Sequence, residues 1–228
     1  MTRIFETMKE ALNEVERDIM EMGIQVWPRS MQNKDVRENE NFSTLEVQNY
    51  TFAVLDMKDK NDWVPSLEWC QAEFEERISP YDVNPGNAWK LRPEVWQEFI
   101  NLSGGFDYTY NERIRKQLIE VIKELQENPD SRRAVIDIHK PTDTINCMRE
   151  LVRIPCSMYY QLMVRRGKLD IIYNMRSSDF DTHFKHDMWL ADELRNYIAK
   201  QIGVEPGMFF MNVGSLHRYK NYTTKHVF

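Results

Sequence analysis

The sequence predicts an α+β fold: a largely antiparallel mixed sheet covered by helices, in a single domain spanning residues 1–228. Three observations carry this. Apolar residues recur at three- and four-residue steps over 3–22 and 114–125, as amphipathic helices require. Met158, Tyr160, Leu162 and Val164 alternate up to Arg165-Arg166-Gly167-Lys168, and Leu169, Ile171, Tyr173 and Met175 alternate back, as an antiparallel hairpin requires. Helix-type and strand-type stretches also interleave without a linker, an internal repeat or a low-complexity tract.

Taken in order, residues 3–22 form the first expected helix, with Ile4, Phe5, Met8, Leu12, Val15, Ile19 and Met22 as its stripe and Gly23 as its stop. Residues 29–41 are polar and are expected as a surface loop. Short alternating runs over 42–55 suggest strands, their parity flipping near Asn49 and Tyr50 as a bulge or turn would require. A helix is expected over 63–77, with Val64, Leu67, Cys70 and Phe74 on one face. Three prolines and a glycine make 79–93 a loop, and 101–110 is a second one. The helix striped by Ile114, Leu118, Val121, Ile122 and Leu125 ends at Asn128-Pro129. A strand at 134–138, the hairpin, a helix over 187–202 and a strand at 208–213 complete the set.

Composition narrows the function. Of 228 residues 42% are hydrophobic and 29% charged, ordinary for a soluble globular chain. The net charge of −6 argues against a nucleic-acid polymer as partner, since phosphate tracking needs a basic face; a mononucleotide needs only a few local arginines. Three cysteines (70, 147, 156) and no signal peptide fit thiols in a reducing cytoplasm. No apolar run approaches the ~20 residues that span a bilayer. There is no zinc-type Cys/His spacing, no phosphate-cradling glycine loop and no G-x-S-x-G, so no metal is expected.

The chemistry concentrates between Arg153 and Asp187. Cys156 follows a proline at the head of a strand. The next strand ends on Arg176, followed by Ser177, Ser178 and Asp179, with Asp187 eleven residues after the arginine. A thiol, a cation and two carboxylates leaving adjacent strand ends can bind and attack a small anionic substrate. Each alone has a plainer role: a lone Cys is more often buried filler, and Asp187 can cap the helix it opens. Their joint spacing carries the hypothesis.

Four motifs stand in register with a known family. N-P-D-S-R-R (128–133), I-P-C (154–156), M-R-S-S-D (175–179) and G-S-L-H-R-Y (214–219) resemble those of the thymidylate synthase superfamily in order and near spacing, over residues 105–219. N-M-R-S and N-V-G-S-L-H look most like the bacteriophage deoxycytidylate (dCMP) hydroxymethylases. So does Asp187, where the synthases carry a uracil-reading asparagine. Cytosine presents an amino donor beside an unprotonated ring nitrogen. A carboxylate accepts from the first and favours a proton on the second, whereas an amide suits uracil.

The resemblance implies a thymidylate synthase-like fold and a hydroxymethylation at pyrimidine carbon 5. Cys156 would add as thiolate to carbon 6, and 5,10-methylene-tetrahydrofolate would supply the one-carbon unit. Arg176 with Ser177 would hold the 5′-phosphate of a pyrimidine nucleoside monophosphate, and Ser178 would also bind the substrate. Arg132 and Arg133 would reach it from the second subunit of a homodimer, and Arg37 is a further candidate by position. His217 and Tyr219 match the pair at the sugar 3′-hydroxyl, Tyr110 a tyrosine near the nucleophile, and Asp179 a residue at the pterin edge. Three departures stand out. Ser66 occupies the place of the family's glutamate three residues before a tryptophan (Trp69), with Glu68 on another helix face; His183 replaces a glycine; and nine residues follow Tyr219 where synthases have a longer closing segment. Other readings are a thymidylate synthase-like enzyme acting on dUMP or on a ribonucleotide such as CMP, and a nucleotide-binding homologue without catalysis.

Overall fold

The computed structural model describes residues 2–32, 34–37, 39–147 and 153–219. In chain order it contains β1 (Arg3–Thr7), α1 (Met8–Met22), β2 (Ile24–Val26), β3 (Ser30–Met31), β4 (Lys34–Asp35), β5 (Thr44–Asp56), α2 (Lys60–Trp63) and α3 (Leu67–Ile78). There follow α4 (Pro93–Trp96), α5 (Tyr110–Glu127), β6 (Val135–Asp137), α6 (Pro141–Asn146), β7 (Ser157–Arg165), β8 (Lys168–Asp179), α7 (Lys185–Ile202) and β9 (Glu205–Tyr219). A seven-stranded sheet runs β1-β5-β9-β8-β7-β6 with β2 beside β5, and β3 pairs with β4 separately. Pairs β2–β5, β5–β9, β6–β7 and β7–β8 are antiparallel; β1–β5 and β8–β9 are parallel. Helix α7 makes the crossover that a parallel β8–β9 pair needs.

Alternation decides which sheet face is buried. Tyr160 and Leu162, Ile171 and Tyr173, Phe209 and Met211, and Phe52 and Val54 are fully buried and share one core with Met8, Val15 and Ile19 of α1, Ile114 of α5 and Ile198 of α7. At roughly 1.5–3 kcal/mol per large apolar side chain, this face supplies most of the stabilisation. The intervening residues Tyr159, Met163, Ile172, Phe210 and Leu55 lie on the other face and stay partly or largely exposed.

The structure departs from the sequence reading in instructive places. Residues 3–7 are a strand, because Arg3–Thr7 pairs in parallel with Phe52–Asp56; α1 begins only at Met8, where the Thr7 side chain caps the Glu10 N–H. Ile4 and Met22 are therefore exposed. The helix expected over 63–77 is broken at Val64–Ser66, next to Pro65, into α2 and α3. Two strands expected to be short are long: β8 continues past Arg176 to Asp179, and β9 runs to Tyr219, pairing Ser177 with Ser215 and Asp179 with His217. Polar strand ends carry no apolar alternation, so their pairing is invisible to periodicity.

The parity flip at Asn49 is real. Leu45 and Val47 pack against the core, as do Tyr50, Phe52 and Val54, and between them Asn49 has φ 52°. Gly214 lies opposite on β9, where a Cβ would come within 2.8 Å of the Arg176 carbonyl oxygen. Beyond this bend the sheet turns Thr44, Glu46, Ser177, Ser178, Ser215 and His217 into a cavity.

Candidate active site

The cavity holds about 270 Å³ at the bent end of the sheet, and Cys156 lies on its wall. Pro155 and Cys156 lead into β7, and the Cys156 carbonyl accepts from the Arg176 N–H at 2.8 Å, which brings cysteine and arginine side by side. The Arg176 guanidinium is held by the carbonyls of Pro155 (Nε, 2.9 Å) and Ile154 (Nη2, 3.1 Å), and its Nη2 stands 3.7 Å from the Cys156 sulfur. The Ser177 hydroxyl donates to the same sulfur at 3.6 Å and Gln32 Nε2 at 3.8 Å. Cationic and hydroxyl donors are what a reactive thiolate requires. Cys70 is the contrast: it is fully buried, and burial pushes its thiol up to about 12.

Behind Cys156 lies a chain of hydroxyls. Tyr110 Oη and Ser157 Oγ are 3.0 Å apart, and Ser157 Oγ and Tyr173 Oη 2.5 Å. Burial raises both phenols well above their ordinary range, so they stay protonated. Tyr110 thus reaches the residue after the cysteine, and no hydrogen bond links it to the sulfur itself. The Thr109–Glu112 capping box at the start of α5 sets its position.

Asp187 also faces the cavity. It lies in the first turn of α7, whose N-cap is Phe184, so it is not the helix cap that the sequence allowed. Ser178 Oγ donates to Asp187 Oδ2 at 3.0 Å. Burial raises this carboxyl to about 7, against the opposing influence first of Arg77 and then of the Ser178 hydrogen bond. Asp179 ends β8. One oxygen accepts from the Asp181 N–H at 3.2 Å, while the other, beside the Thr182 hydroxyl, makes no well-formed hydrogen bond. Burial raises this carboxyl too, and His217 opposes the shift.

Aromatic rings form the remaining wall. Trp69 stacks on Trp96 with centroids 5.8 Å apart, His183 tilts against Trp96 at the same distance, and the Arg153 guanidinium lies 4.7 Å from Trp96 and 4.8 Å from Tyr108. Burial lowers His183 to about 3 and His186 to about 2, with Arg92 adding to each, so both imidazoles are neutral near pH 7. Across the sheet end, Ser215 Oγ donates to Glu46 and stands 3.4 Å from His217 Nδ1. Tyr219 Oη donates to Met31 Sδ at 2.8 Å.

The structure thus brings Cys156, Tyr110, Arg176, Ser177, Ser178, Asp179, Asp187, His217 and Tyr219 to one cavity. Arg37 lies off this cavity: it pairs with Asp35 and lines a separate hollow with Trp27 and Phe42. Arg132 and Arg133 are also off this cavity. The Arg132 carbonyl accepts from Gln161 Nε2 on the open sheet face, and Arg133 pairs with Glu124 at 3.0 Å. Ser66 is outside the lining and Glu68 is exposed. Sequence reading missed Gln32, Glu46, Arg77 and Arg153. The buried Arg77 guanidinium, paired with Glu73 at 2.8 Å, lies 3.9 Å over the Tyr110 ring. No motif marks it; only a charge on the buried side of a helix could have signalled it. Among the described residues no cluster of three or more His, Cys, Asp or Glu could hold a metal, and no helix is long and apolar enough to cross a membrane.

Fold and cavity together define a class: an α+β protein that sets one thiol among cationic and hydroxyl donors at the end of a bent mixed sheet. The chain belongs to the thymidylate synthase family, whose profile, described as Thymidylate synthase, matches residues 85–227. It is 34% identical over 121 residues to a protein of Methanosarcina acetivorans named "Putative thymidylate synthase", covering 50% of this chain and 54% of that one. It is 26% identical over 149 residues to the thymidylate synthase of Enterobacteria phage T4, covering 65% and 46%. The chain therefore spans about half the length of the curated relatives it matches. In fold it is similar to thermostable thymidylate synthase A from Bacillus subtilis, with TM-score 0.72 and 20% identity over 93% of this chain and 80% of that one.

Proposed function

We propose that the protein is a one-carbon transferase that hydroxymethylates carbon 5 of a cytosine nucleoside monophosphate, dCMP by resemblance, through a Cys156 adduct. The observation that carries this is the pairing of the donor-surrounded Cys156 sulfur with the cavity-facing Asp187 carboxyl. A carboxyl raised to about 7 readily holds a proton. In that form it donates to the cytosine ring nitrogen and accepts from the amino group; shared with cytosine's basic ring nitrogen the proton leaves an acceptor-only carboxylate, against which the position-4 oxygen of uracil finds no donor. An unpaired buried polar group costs roughly 1–3 kcal/mol, enough to discriminate the bases.

Arg176 and Ser177 hold the 5′-phosphate, their fork and hydroxyl matching its oxygens. His217 and Tyr219 contact the sugar. The Cys156 sulfur bonds to ring carbon 6, and the ring's electron pair moves to carbon 5, the site of one-carbon attachment. Ser66 and Glu68 stand outside the cavity, so proton traffic falls to Asp187 and Asp179.

The residues present fit a reduced folate. The Trp69–Trp96 wall suits a flat ring, and the under-bonded Asp179 Oδ2 suits a donor edge. Methylene-tetrahydrofolate, when bound, supplies the one-carbon unit. Water then completes the hydroxymethyl group, which makes solvent access to the cavity part of the reaction.

We further propose that residues 1–228 act as one domain within a cytoplasmic homodimer. The partly exposed sheet face of Tyr159, Met163, Ile172 and Phe210 would meet its symmetry mate, each subunit lending Arg132 and Arg133 to the other. The test supplies formaldehyde and tetrahydrofolate with dCMP, CMP or dUMP tritiated at carbon 5. Tritium release and a hydroxymethyl product are expected with a cytosine nucleotide and are lost in Cys156→Ser. A uracil preference sinks the role given to Asp187. Binding without release at any nucleotide favours the reading suggested by the absent glutamate, a nucleotide-binding homologue.

A further inference from the structure

Residues 29–41, a surface loop by sequence, put one side chain on the nucleophile. Gln32 sits in the tight turn between β3 and β4 with φ 53°, a left-handed conformation that residues bearing a Cβ seldom adopt. Such backbone persists where surrounding contacts hold it, and the contacts here are specific. Gln32 Oε1 accepts from the Ile154 N–H at 3.3 Å. That bond sets which end of the amide is which, so the group 3.8 Å from the Cys156 sulfur is the donor Nε2.

We propose that Gln32 is a catalytic residue of this site, its amide N–H donating to the Cys156 sulfur to stabilise and aim the thiolate. The proposal rests on the reading of Cys156 as nucleophile. Three donors surround the sulfur: Arg176 Nη2, Ser177 Oγ and Gln32 Nε2. The first two are the groups assigned to the substrate phosphate, whose oxygens would compete with the sulfur for their N–H and O–H donors. Gln32 is anchored to the backbone beside the cysteine, so it is the donor left to the sulfur at the moment of attack. In that step the thiol proton has already passed to solvent. The sulfur–carbon 6 bond forms, the carbon 5–carbon 6 π pair moves to carbon 5, and Gln32 transfers no proton.

The test is Gln32→Glu, which keeps the size of the side chain and replaces its donor with an acceptor. Iodoacetamide labelling is followed by peptide mass spectrometry, with the exposed Cys147 as internal control. Cys156 labelling near pH 7.5 is expected to fall about 10-fold or more, as a carboxylate beside a thiol requires, with Cys147 unchanged. In the tritium-release assay kcat is expected to fall about 100-fold, with KM for the nucleotide within about threefold. Unchanged Cys156 labelling, or a raised KM with kcat intact, overturns the proposal. Suppressed labelling in a protein whose wild type releases no tritium supports Gln32 at the sulfur and overturns the function above.

Discussion

Asp187 makes a single carboxyl answerable to pH in two ways. In the folded protein burial raises it to about 7, whereas an unfolded-chain aspartate titrates near ~3.9. Below about pH 4 the group is neutral in both states and has no effect on stability. As pH rises from about 4 to about 7 the unfolded chain ionises first, so stability is lost across that window and stays lost above it. Asp187→Asn removes the penalty: its melting temperature should exceed the wild type's by several degrees at pH 8 and match it at pH 4, by calorimetry. On the proposed function, activity should follow the same proton. For the cytosine nucleotide kcat/KM should fall as pH rises through about 7, and Asp187→Asn should lower it by about 10³-fold while raising use of the uracil nucleotide. A flat profile between pH 6 and 8 would separate Asp187 from base recognition.

At the scale of elements, the bend in the sheet is the device that makes the cavity. Gly214 permits it, since a Cβ there would stand 2.8 Å from the Arg176 carbonyl oxygen. Gly214→Ala should therefore push β9 off β8, at a cost of about 1–3 kcal/mol in denaturant unfolding, with a matching loss of activity because Arg176 moves. The start of α5 is a second control point. Thr109 caps the Glu112 N–H and also donates to the Val83 carbonyl at 2.8 Å. Thr109→Ala should cost about 1–2 kcal/mol and loosen Tyr110 against Ser157.

For the whole molecule the question is whether one chain completes its own site. Arg132 and Arg133 lie by the open sheet face, away from the cavity of their own chain. If they serve the partner, mixing inactive Cys156→Ser with an inactive Arg132→Ala/Arg133→Ala variant should restore activity. Random reassortment of a twofold dimer leaves about a quarter of the sites intact. No recovery after subunit exchange, verified by sedimentation of mixed dimers, would remove the arginines from the site.

Local information determined much of this. The hairpin around Arg166-Gly167, the helices α5 and α7 and the bend at Asn49 all follow from short-range patterning, because alternation and helical periodicity record which face is buried. Three of the four motifs likewise pointed to Cys156, Arg176 and His217 by their types and order, and Asp187 by its spacing after Arg176; the structure places all four on one cavity. Tertiary structure alone decided the rest. β1 is a strand because Phe52–Asp56 offers it a free edge, not because of its own residues. Arg37 lies apart from the sulfur, and Gln32 on it, because of how one short hairpin folds across the chain. Arg77 packs on Tyr110 because α3 lies against α5. Contacts between segments far apart in the chain leave no periodic trace in a single sequence, since each partner must fit the other and not its own neighbours.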